Sequence, residues 1–174
     1  GPGQNQTADE NARVGKVLPP FVDRLGPVEF QSAWHPFPKS HYYEKEMGPN
    51  LQRCLVGFKN IFAPHQLAEL KQLATQMESK LMTHDSRLMT SSRAINIDPG
   101  YVDLFKVVLA SGKSGGQKVA LSEEVFAHTV LRFEKGKWIP FEWTYPDFRE
   151  PCYHGDLLKI RESLRGILRS AQDD

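Results

Sequence analysis

The sequence predicts an α+β protein with a central antiparallel or mixed β-sheet of about five strands, packed by two main helices. Its 174 residues, 40% hydrophobic and 25% charged, match the size and composition of one globular domain. Residues 64–82 and 156–169 repeat apolar side chains at helical spacing. Short apolar strands in the second half follow one another through turns rather than helices, which favours this class over a doubly wound sheet. We expect a single domain over residues 14–170, between a disordered segment or tag remnant over 1–13 and a frayed tail over 171–174.

The first 25 residues are expected to contribute little regular structure. Residues 1–13 are polar and begin Gly-Pro-Gly without an initiator Met or the pattern of a signal peptide. Pro19 and Pro20 interrupt any longer helix, because proline in a helix interior loses a hydrogen bond and clashes with the preceding turn. The sequence therefore predicts only a short helix over 20–25 that ends at Gly26.

The clearest element of the first half is a helix that starts near Pro64, a residue type suited to a first helical position. Its apolar side chains recur every three or four residues and predict a buried face: Leu67, Leu70, Leu73 or Ala74, Met77 and Leu81. The polar side chains between them are expected to face water: Glu69, Lys71, Gln72, Glu78 and Lys80. Two strands are predicted before this helix, Val28–Gln31 and Leu51–Phe58.

The second half is expected to be rich in strands. Residues 83–92 are polar and predict a loop, and the last helix is expected to begin at Asp156, a good N-cap residue. The Glu-Lys-Gly sequence at 134–136 predicts a tight hairpin turn, and residues 111–116 predict a second, flexible hairpin tip. The predicted strands are Ala94–Ile97, Leu104–Ala110, Lys118–Leu121, Ala127–Phe133 and Lys137–Pro140.

Charge and cysteine content exclude several partners and chemistries. Lys and Arg number 22 against 21 Asp and Glu, so there is no strong nucleic-acid signal. No apolar run approaches the roughly 18 residues of a membrane span. Cys54 and Cys152 lack a CxxC partner and indicate reduced thiols in a cytoplasmic protein. The histidines lack metal-binding spacing and there is no GxSxG motif, so the sequence identifies no metal ligand, catalytic residue or cofactor.

The sequence Gly112-Lys113-Ser114 is similar to the end of a phosphate-binding P-loop, but the rest of that motif is missing. A P-loop requires a glycine at position 107, where Val107 stands in an apolar strand. It also requires a helix directly afterwards, and Gly115-Gly116-Gln117 does not start one. Lys113 remains able to contact an anion as a mobile point charge.

Four separated motifs carry a family resemblance. They are, in chain order, HYYEKEMG at 41–48, NIDPGY at 96–101, VLAS at 108–111 and WTYPDF at 143–148. In this order and spacing, the chain from about Gly26 to Leu168 resembles a bacterial family described as domain-of-unknown-function family 4416. Some members carry a "GTP-binding" label, for which this sequence offers no motif, and the resemblance implies no particular reaction.

The chain also departs from the pattern of that family. Members usually open with an apolar strand, which residues 1–13 cannot form, so we expect an open sheet edge that favours dimerisation. After the Ala-Ser motif, members tend to have Lys-Asp and then His-Arg, whereas this chain has Lys113-Ser114 and Gln117-Lys118. His128 stands where members often have an acidic residue. A family site at these positions therefore does not transfer to this chain.

Two groups of polar residues have both a functional and a structural interpretation. Tyr43 and Glu46 either line a pocket for a base or a sugar, or cover the core. On a strand, Asn96 and Asp98 share one face and offer an amide beside a carboxylate. Alternatively, Asp98 starts a turn through the following Pro-Gly and Asn96 faces solvent.

A third group has the same two interpretations. Trp143 and Tyr145 either stack a base, with Arg149 and Lys106 on its phosphate, or pack across the sheet. In the second case Asp147 holds a turn.

The leading hypothesis is a cytoplasmic binding or accessory protein whose polar pocket takes a small anionic or nucleotide-like ligand. The candidate pocket residues are Tyr43, Glu46, Asn96, Asp98 and Lys113. This hypothesis requires the tyrosine-glutamate loop and the Asp-Pro-Gly corner to meet around one hollow. Two alternatives stay open: a hydrolase-type enzyme that uses Glu46 and Asp98 as acid–base or divalent-metal carboxylates, and a protein-interaction domain or homodimer that uses an open sheet edge.

Overall fold

Helices and antiparallel strands together confirm the α+β class. The computed structural model describes residues 2–37, 45, 47–85, 90–92 and 94–173. The helices are α1 (Pro2–Leu25), α2 (Leu67–Lys80), α3 (Pro146–Arg149) and α4 (His154–Asp173), with 3₁₀ turns at Pro64–Gln66 and Pro151–Tyr153. The strands are β1 (Val28–Gln31), β2 (His35–Pro36), β3 (Gln52–Arg53), β4 (Val56–Phe58), β5 (Thr83–Asp85), β6 (Thr90–Ser92), β7 (Gly100–Val102), β8 (Lys106–Ser111), β9 (Val119–Ala120), β10 (Phe126–Glu134) and β11 (Lys137–Pro140).

The chain divides into two compact units. The first unit comprises residues 1–60 and 72–97, and the second comprises 61–71 and 98–174. Helix α2 begins in the second unit and ends in the first. A single domain over residues 14–170 stays a prediction.

Helix α1 of the first unit continues through its two interior prolines, Pro19 and Pro20. Its buried side chains recur at helical spacing across them: Val14, Val17, Phe21 and Leu25. Phe21 packs against Phe58 of β4, with ring centroids 6.4 Å apart. Each such burial is worth about 1.5–3 kcal/mol, which together offset the roughly 3 kcal/mol cost of an interior proline. The prediction of a short helix over 20–25 is therefore wrong. Residues 2–13, expected to be disordered, form the first half of α1, whereas its end at Gly26, with φ 77°, is confirmed.

The strands of the first unit form three two-stranded antiparallel sheets, β1–β4, β2–β3 and β5–β6. Strand β1 confirms the prediction over Val28–Gln31. The segment predicted as one strand over Leu51–Phe58 is divided between two of these sheets. Within the segment 83–92, predicted as a loop, residues 83–85 and 90–92 form β5 and β6, which pair antiparallel, so that prediction is wrong there.

The second unit contains the five-stranded sheet, in the order β7–β8–β10–β11 with β9 also paired to β10. Every pairing is antiparallel, as one of the two predicted arrangements requires. The two-residue turn after β10 is confirmed, since Lys135 and Gly136 have φ values of 49° and 79°.

The edge strand β7 begins at Gly100, later than the sequence predicts. The predicted strand Ala94–Ile97 is wrong, because that stretch forms no ladder and the N–H of Ile97 donates to the side chain of Glu78 at 2.8 Å. A Cβ on Gly100 would lie 2.5 Å from the carbonyl oxygen of Val108. The glycine is therefore required by the close approach of two strands rather than by a turn.

Both predicted packing helices are present. Leu67 of α2 is fully buried and packs with three residues of the sheet unit: Val108, Ala110 and Val125. The guanidinium of Arg161 in α4 lies 3.6 Å from the ring centroid of Phe133 and donates to the Leu104 carbonyl at 2.9 Å. Helix α4 begins two residues before the predicted Asp156 and includes residues 171–173, which were expected to fray.

Candidate functional site

The chain between β8 and β9 crosses over strand β10. Phe126, the first residue of β10, pairs with Ser111 of β8 and also with Ala120 of β9. One residue can pair with two strands only on its two opposite sides, so β8 and β9 flank β10. Residues 112–118, here called the crossover segment, must therefore pass from one side of β10 to the other. The predicted turn or loop is confirmed over 112–116, but its arrangement as a hairpin tip is wrong, because β8 and β9 do not pair with each other.

A lysine closes the crossover segment. The Nζ of Lys118 donates to the Oγ of Ser111 at 3.0 Å and to the carbonyl oxygen of Lys113 at 3.1 Å. The N–H of Lys113 donates to the same Ser111 oxygen at 3.2 Å. Among the described residues, the backbone N–H groups of Ser114, Gly115 and Gly116 find no acceptor. The segment therefore offers both a positive charge and hydrogen-bond donors that are exposed to solvent.

A buried histidine lies beside this segment. The β9–β10 ladder pairs Ala127 with Val119, so its next position sets Lys118 opposite His128. The His128 side chain is only 1% exposed, and its ring lies 5.0 Å from that of Tyr145. Neither ring nitrogen has a hydrogen-bond partner in the described part of the chain. A neutral imidazole carries one N–H donor and one acceptor, and leaving such groups unpaired in the interior costs about 1–3 kcal/mol each.

The electrostatics of the two lysines beside His128 favour an anion. Burial, and then the charge of Lys118, lower the pKa of His128 below its ordinary value of 6.5. Burial, and then the charge of Lys113, lower the pKa of Lys118 below 10.5. No ion pair involves Lys118 within the described residues. A negative group at this position would relieve the repulsion between the ammonium groups of Lys118 and Lys113.

The loop 141–145 fills a gap in the sheet next to this histidine. On the side of β10 away from β8, the ladder with β9 ends at Ala127 and the ladder with β11 begins at Leu131. Between them, the indole Nε1 of Trp143 donates to the carbonyl oxygen of Thr129 at 2.8 Å. The hydroxyl of Thr144 donates to the carbonyl oxygen of Val130. Side chains here replace the missing strand.

The guanidinium of Arg149 holds that loop in place. It donates to the carbonyl oxygens of Phe141, Glu142 and Thr144. Lys106, the other predicted phosphate ligand, is paired with Asp103. The functional interpretation is therefore wrong for Arg149 and Lys106, which stabilise the protein instead.

The predicted pocket residues are only partly described. Tyr43 and Glu46 lie outside the described residues, so the shared hollow and the carboxylate pair of Glu46 with Asp98 stay predictions. Lys113 lies on the crossover segment and is exposed.

Asn96 and Asp98 fall in different units of the chain. Their predicted common strand face is wrong, since residues 94–97 form no strand. Asp98 lies 3.9 Å from the ammonium of Lys71, an ion pair within the second unit.

Sequence reasoning missed three contributors to this site: Ser111, Lys118 and His128. One signal was present, because His128 is a titratable residue inside an otherwise apolar strand, where the resembling family often has an acid. The roles of Ser111 and Lys118 depend on the crossing of β10, which no local pattern reveals.

Other chemistries find less support. Burial and the charge of Glu10 raise the pKa of the Cys54 thiol to about 11, and burial followed by Asp147 raises that of Cys152, so neither thiol suits a nucleophile. The described ranges contain no group of three His, Cys, Asp or Glu side chains placed to hold a metal ion. No helix in these same ranges has the length and apolar character that crossing a membrane requires.

Comparison with known proteins places the chain in a family. A family model described as "Domain of unknown function (DUF4416)" matches residues 6–164. The chain therefore belongs to the DUF4416 family, as its four motifs predict. No curated protein and no solved structure matches it.

Proposed function

We propose that this member of the DUF4416 family is a binding domain for a small anionic ligand, and that the ligand's oxyanion group lies against the crossover segment. Lys118 and Lys113 supply positive charge, and the ring N–H of the buried His128 supplies a hydrogen bond. The observation that carries the proposal is the pair of unpartnered ring nitrogens of His128, whose side chain is 1% exposed beside a lysine.

The donors at this position outnumber the acceptors. An ammonium has three N–H donors, and Lys118 uses two of them on Ser111 and Lys113. The N–H of neutral His128 also lacks an acceptor in the described part of the protein. A phosphate or sulfate group accepts several hydrogen bonds at once, so one oxyanion would pair the lysine, the histidine and the glycine-rich backbone together.

A cytoplasmic location is part of the same proposal. Cys54 and Cys152 are both free thiols, which supports a reducing compartment. Binding on a loop supported by a sheet also agrees with the general placement of ligand sites on connecting segments.

Sulfate is the sharpest probe, because its charge does not change over the pH range in which His128 titrates. Sulfate stabilises folded proteins in general, so we expect it to raise the melting temperature of the wild type more than that of Lys118→Gln, and to give a measurable Kd by calorimetry. The Lys118→Gln variant should lose at least about tenfold in affinity, since a charge-assisted hydrogen bond contributes about 1.5–3 kcal/mol.

The matched control is Lys137→Gln, an equal charge change on β11 of the same sheet. It should leave sulfate affinity unchanged. Equal affinity in wild type and Lys118→Gln, or equal stabilisation of the two by sulfate, would overturn the proposal.

A further inference from the structure

Trp143 is a large apolar side chain fixed at the surface. Its ring stacks on Phe141 at 4.7 Å between centroids, with an angle of 6° between planes. Its N–H is bound to the carbonyl of Thr129, which fixes the rotation of the ring. Even so, the residue is 39% exposed. The indole is therefore immobilised by a stack and a hydrogen bond while part of its surface remains open to solvent.

This indole adjoins the proposed anion site. Thr129, which accepts the Trp143 hydrogen bond, follows His128 in β10. Lys118 stands opposite His128 on the same side of β10, by extension of the β9 ladder. Successive strand residues are about 3.3 Å apart, so the backbone of Lys118 and the indole of Trp143 lie about one residue apart along this side of β10, while the Lys118 ammonium reaches over to Ser111 of β8. Tyr145, two residues after Trp143, contacts the His128 ring.

We propose that the ligand carries a planar ring beside its anionic group, and that this ring stacks on Trp143. A nucleoside monophosphate has this chemistry: a phosphate for Lys118 and the crossover segment, and a base for the indole. The inference rests on the proposed function, because the anion position determines which ring can reach Trp143. Stacking uses the face of a base, which all bases share, so little discrimination among bases is expected.

Three related compounds separate the parts of this proposal in titrations of the full chain. AMP carries both ring and phosphate, ribose 5-phosphate lacks the ring, and adenosine lacks the phosphate. We expect AMP to bind about tenfold more tightly than ribose 5-phosphate, the gain typical of one base stacked on an aromatic side chain, and adenosine to bind weakest. Lys118→Gln should weaken AMP and ribose 5-phosphate by the same factor.

Tryptophan fluorescence gives a second measurement. AMP should quench the emission and ribose 5-phosphate should not. Trp143→Phe should abolish the quench while keeping most of the AMP affinity, with Trp34 and Trp138 as constant background. Trp143→Leu should bind AMP no better than ribose 5-phosphate. If that variant does not fold, the Phe variant and the wild-type quench decide.

The outcomes distinguish the two proposals. Equal affinity for AMP and ribose 5-phosphate, without quenching, overturns the stacked ring and leaves the anion site intact. Failure of AMP, ribose 5-phosphate and sulfate alike overturns both.

Discussion

Two neighbouring stretches of the second unit treat their polar groups in opposite ways. In the loop 141–149, the side chains of Trp143, Thr144 and Arg149 satisfy the backbone carbonyls around them. In the crossover segment, backbone donors are open to solvent, and the buried ring of His128 beside it lacks a partner among the described residues. Because buried polar groups are normally paired, the first stretch is built for stability, and the second holds unused hydrogen-bonding capacity. The comparison supports the proposed site, which lies where the fold leaves the ring of a buried histidine unmatched.

The largest expected effect on stability concerns the stretch 141–149, whose side chains pair with the backbone carbonyls around them. Arg149→Leu removes the donors of three carbonyl bonds and should lower the free energy of unfolding by about 3 kcal/mol in urea titrations. Arg149→Lys should recover less than half, because an ammonium cannot reproduce the guanidinium fork. Arg165→Leu, which removes an exposed charge paired with Glu162, should cost under about 0.5 kcal/mol. Equal losses for Arg149→Leu and Arg165→Leu would contradict the role of Arg149.

A buried threonine gives the next largest effect. Thr144→Val keeps the shape but removes the hydroxyl that donates to the Val130 carbonyl and accepts from the N–H of Phe141. We expect a loss of about 2 kcal/mol, because both backbone groups are left without partners. Thr144→Ser restores the hydroxyl and should recover more than half, as measured by urea unfolding. A valine variant as stable as the serine variant would count against this account.

The substitution His128→Leu should stabilise the protein, in contrast to the two substitutions above. Replacing an unpaired buried polar ring by an apolar side chain should raise the free energy of unfolding by about 1 kcal/mol while abolishing sulfate binding. The matched control is His154→Leu, since the Nε2 of His154 has a partner 3.2 Å away, the carbonyl of Phe148, and its loss should destabilise the protein. Destabilisation by both substitutions would indicate that the His128 ring is satisfied.

The smallest effect is a pH dependence that comes from the same histidine. The pKa of His128 is lowered in the folded protein. As the pH falls below 6.5, this histidine therefore takes up a proton in the unfolded chain before it does so in the folded protein. Stability should therefore be full above pH 6.5 and fall as the pH drops towards the folded pKa, with a slope of at most about 1.4 kcal/mol per pH unit. Lys118 and Tyr145 are titratable side chains that lie next to the His128 ring.

Urea titrations at pH 7.5, 6.5 and 5.5 measure this dependence. The unfolding free energy of His128→Leu should exceed that of the wild type by a margin that grows only below pH 6.5, because only the wild type loses stability there. A difference that is constant across the three pH values would show that His128 does not titrate differently on folding.

Local patterns predicted the elements that local chemistry determines. The apolar spacing of α2 and the Lys135-Gly136 turn are examples, because a helix face and a two-residue turn depend on adjacent residues alone. The sequence does not predict the full length of α1, because the proline rule ignores the packing of Val17 and Phe21 on either side of the two interior prolines. Glu78 was assigned to water, yet it is buried and accepts from Ile97, a contact between distant residues.

The candidate site was less predictable than the fold. Lys113 was identified as an anion contact from its exposed, glycine-rich surroundings. Lys118 and His128 were not, because their meeting depends on the order of strands across the sheet. Sequence periodicity reports which face a residue occupies, but it does not report which strands become neighbours.

The position of β10 between β8 and β9 also has a consequence for how this protein is assembled. Strands β8 and β9 are synthesised before β10, but they do not pair with each other in the sheet. Their ladders with β10 can therefore form only after that strand, which lies between them, has been synthesised. The hairpin of β10 and β11, with its two-residue turn, can form on its own and then act as the template onto which the earlier strands are laid. We expect the crossing chain to order last and to open locally without unfolding the rest of the sheet, which would give a ligand access to the buried ring of His128.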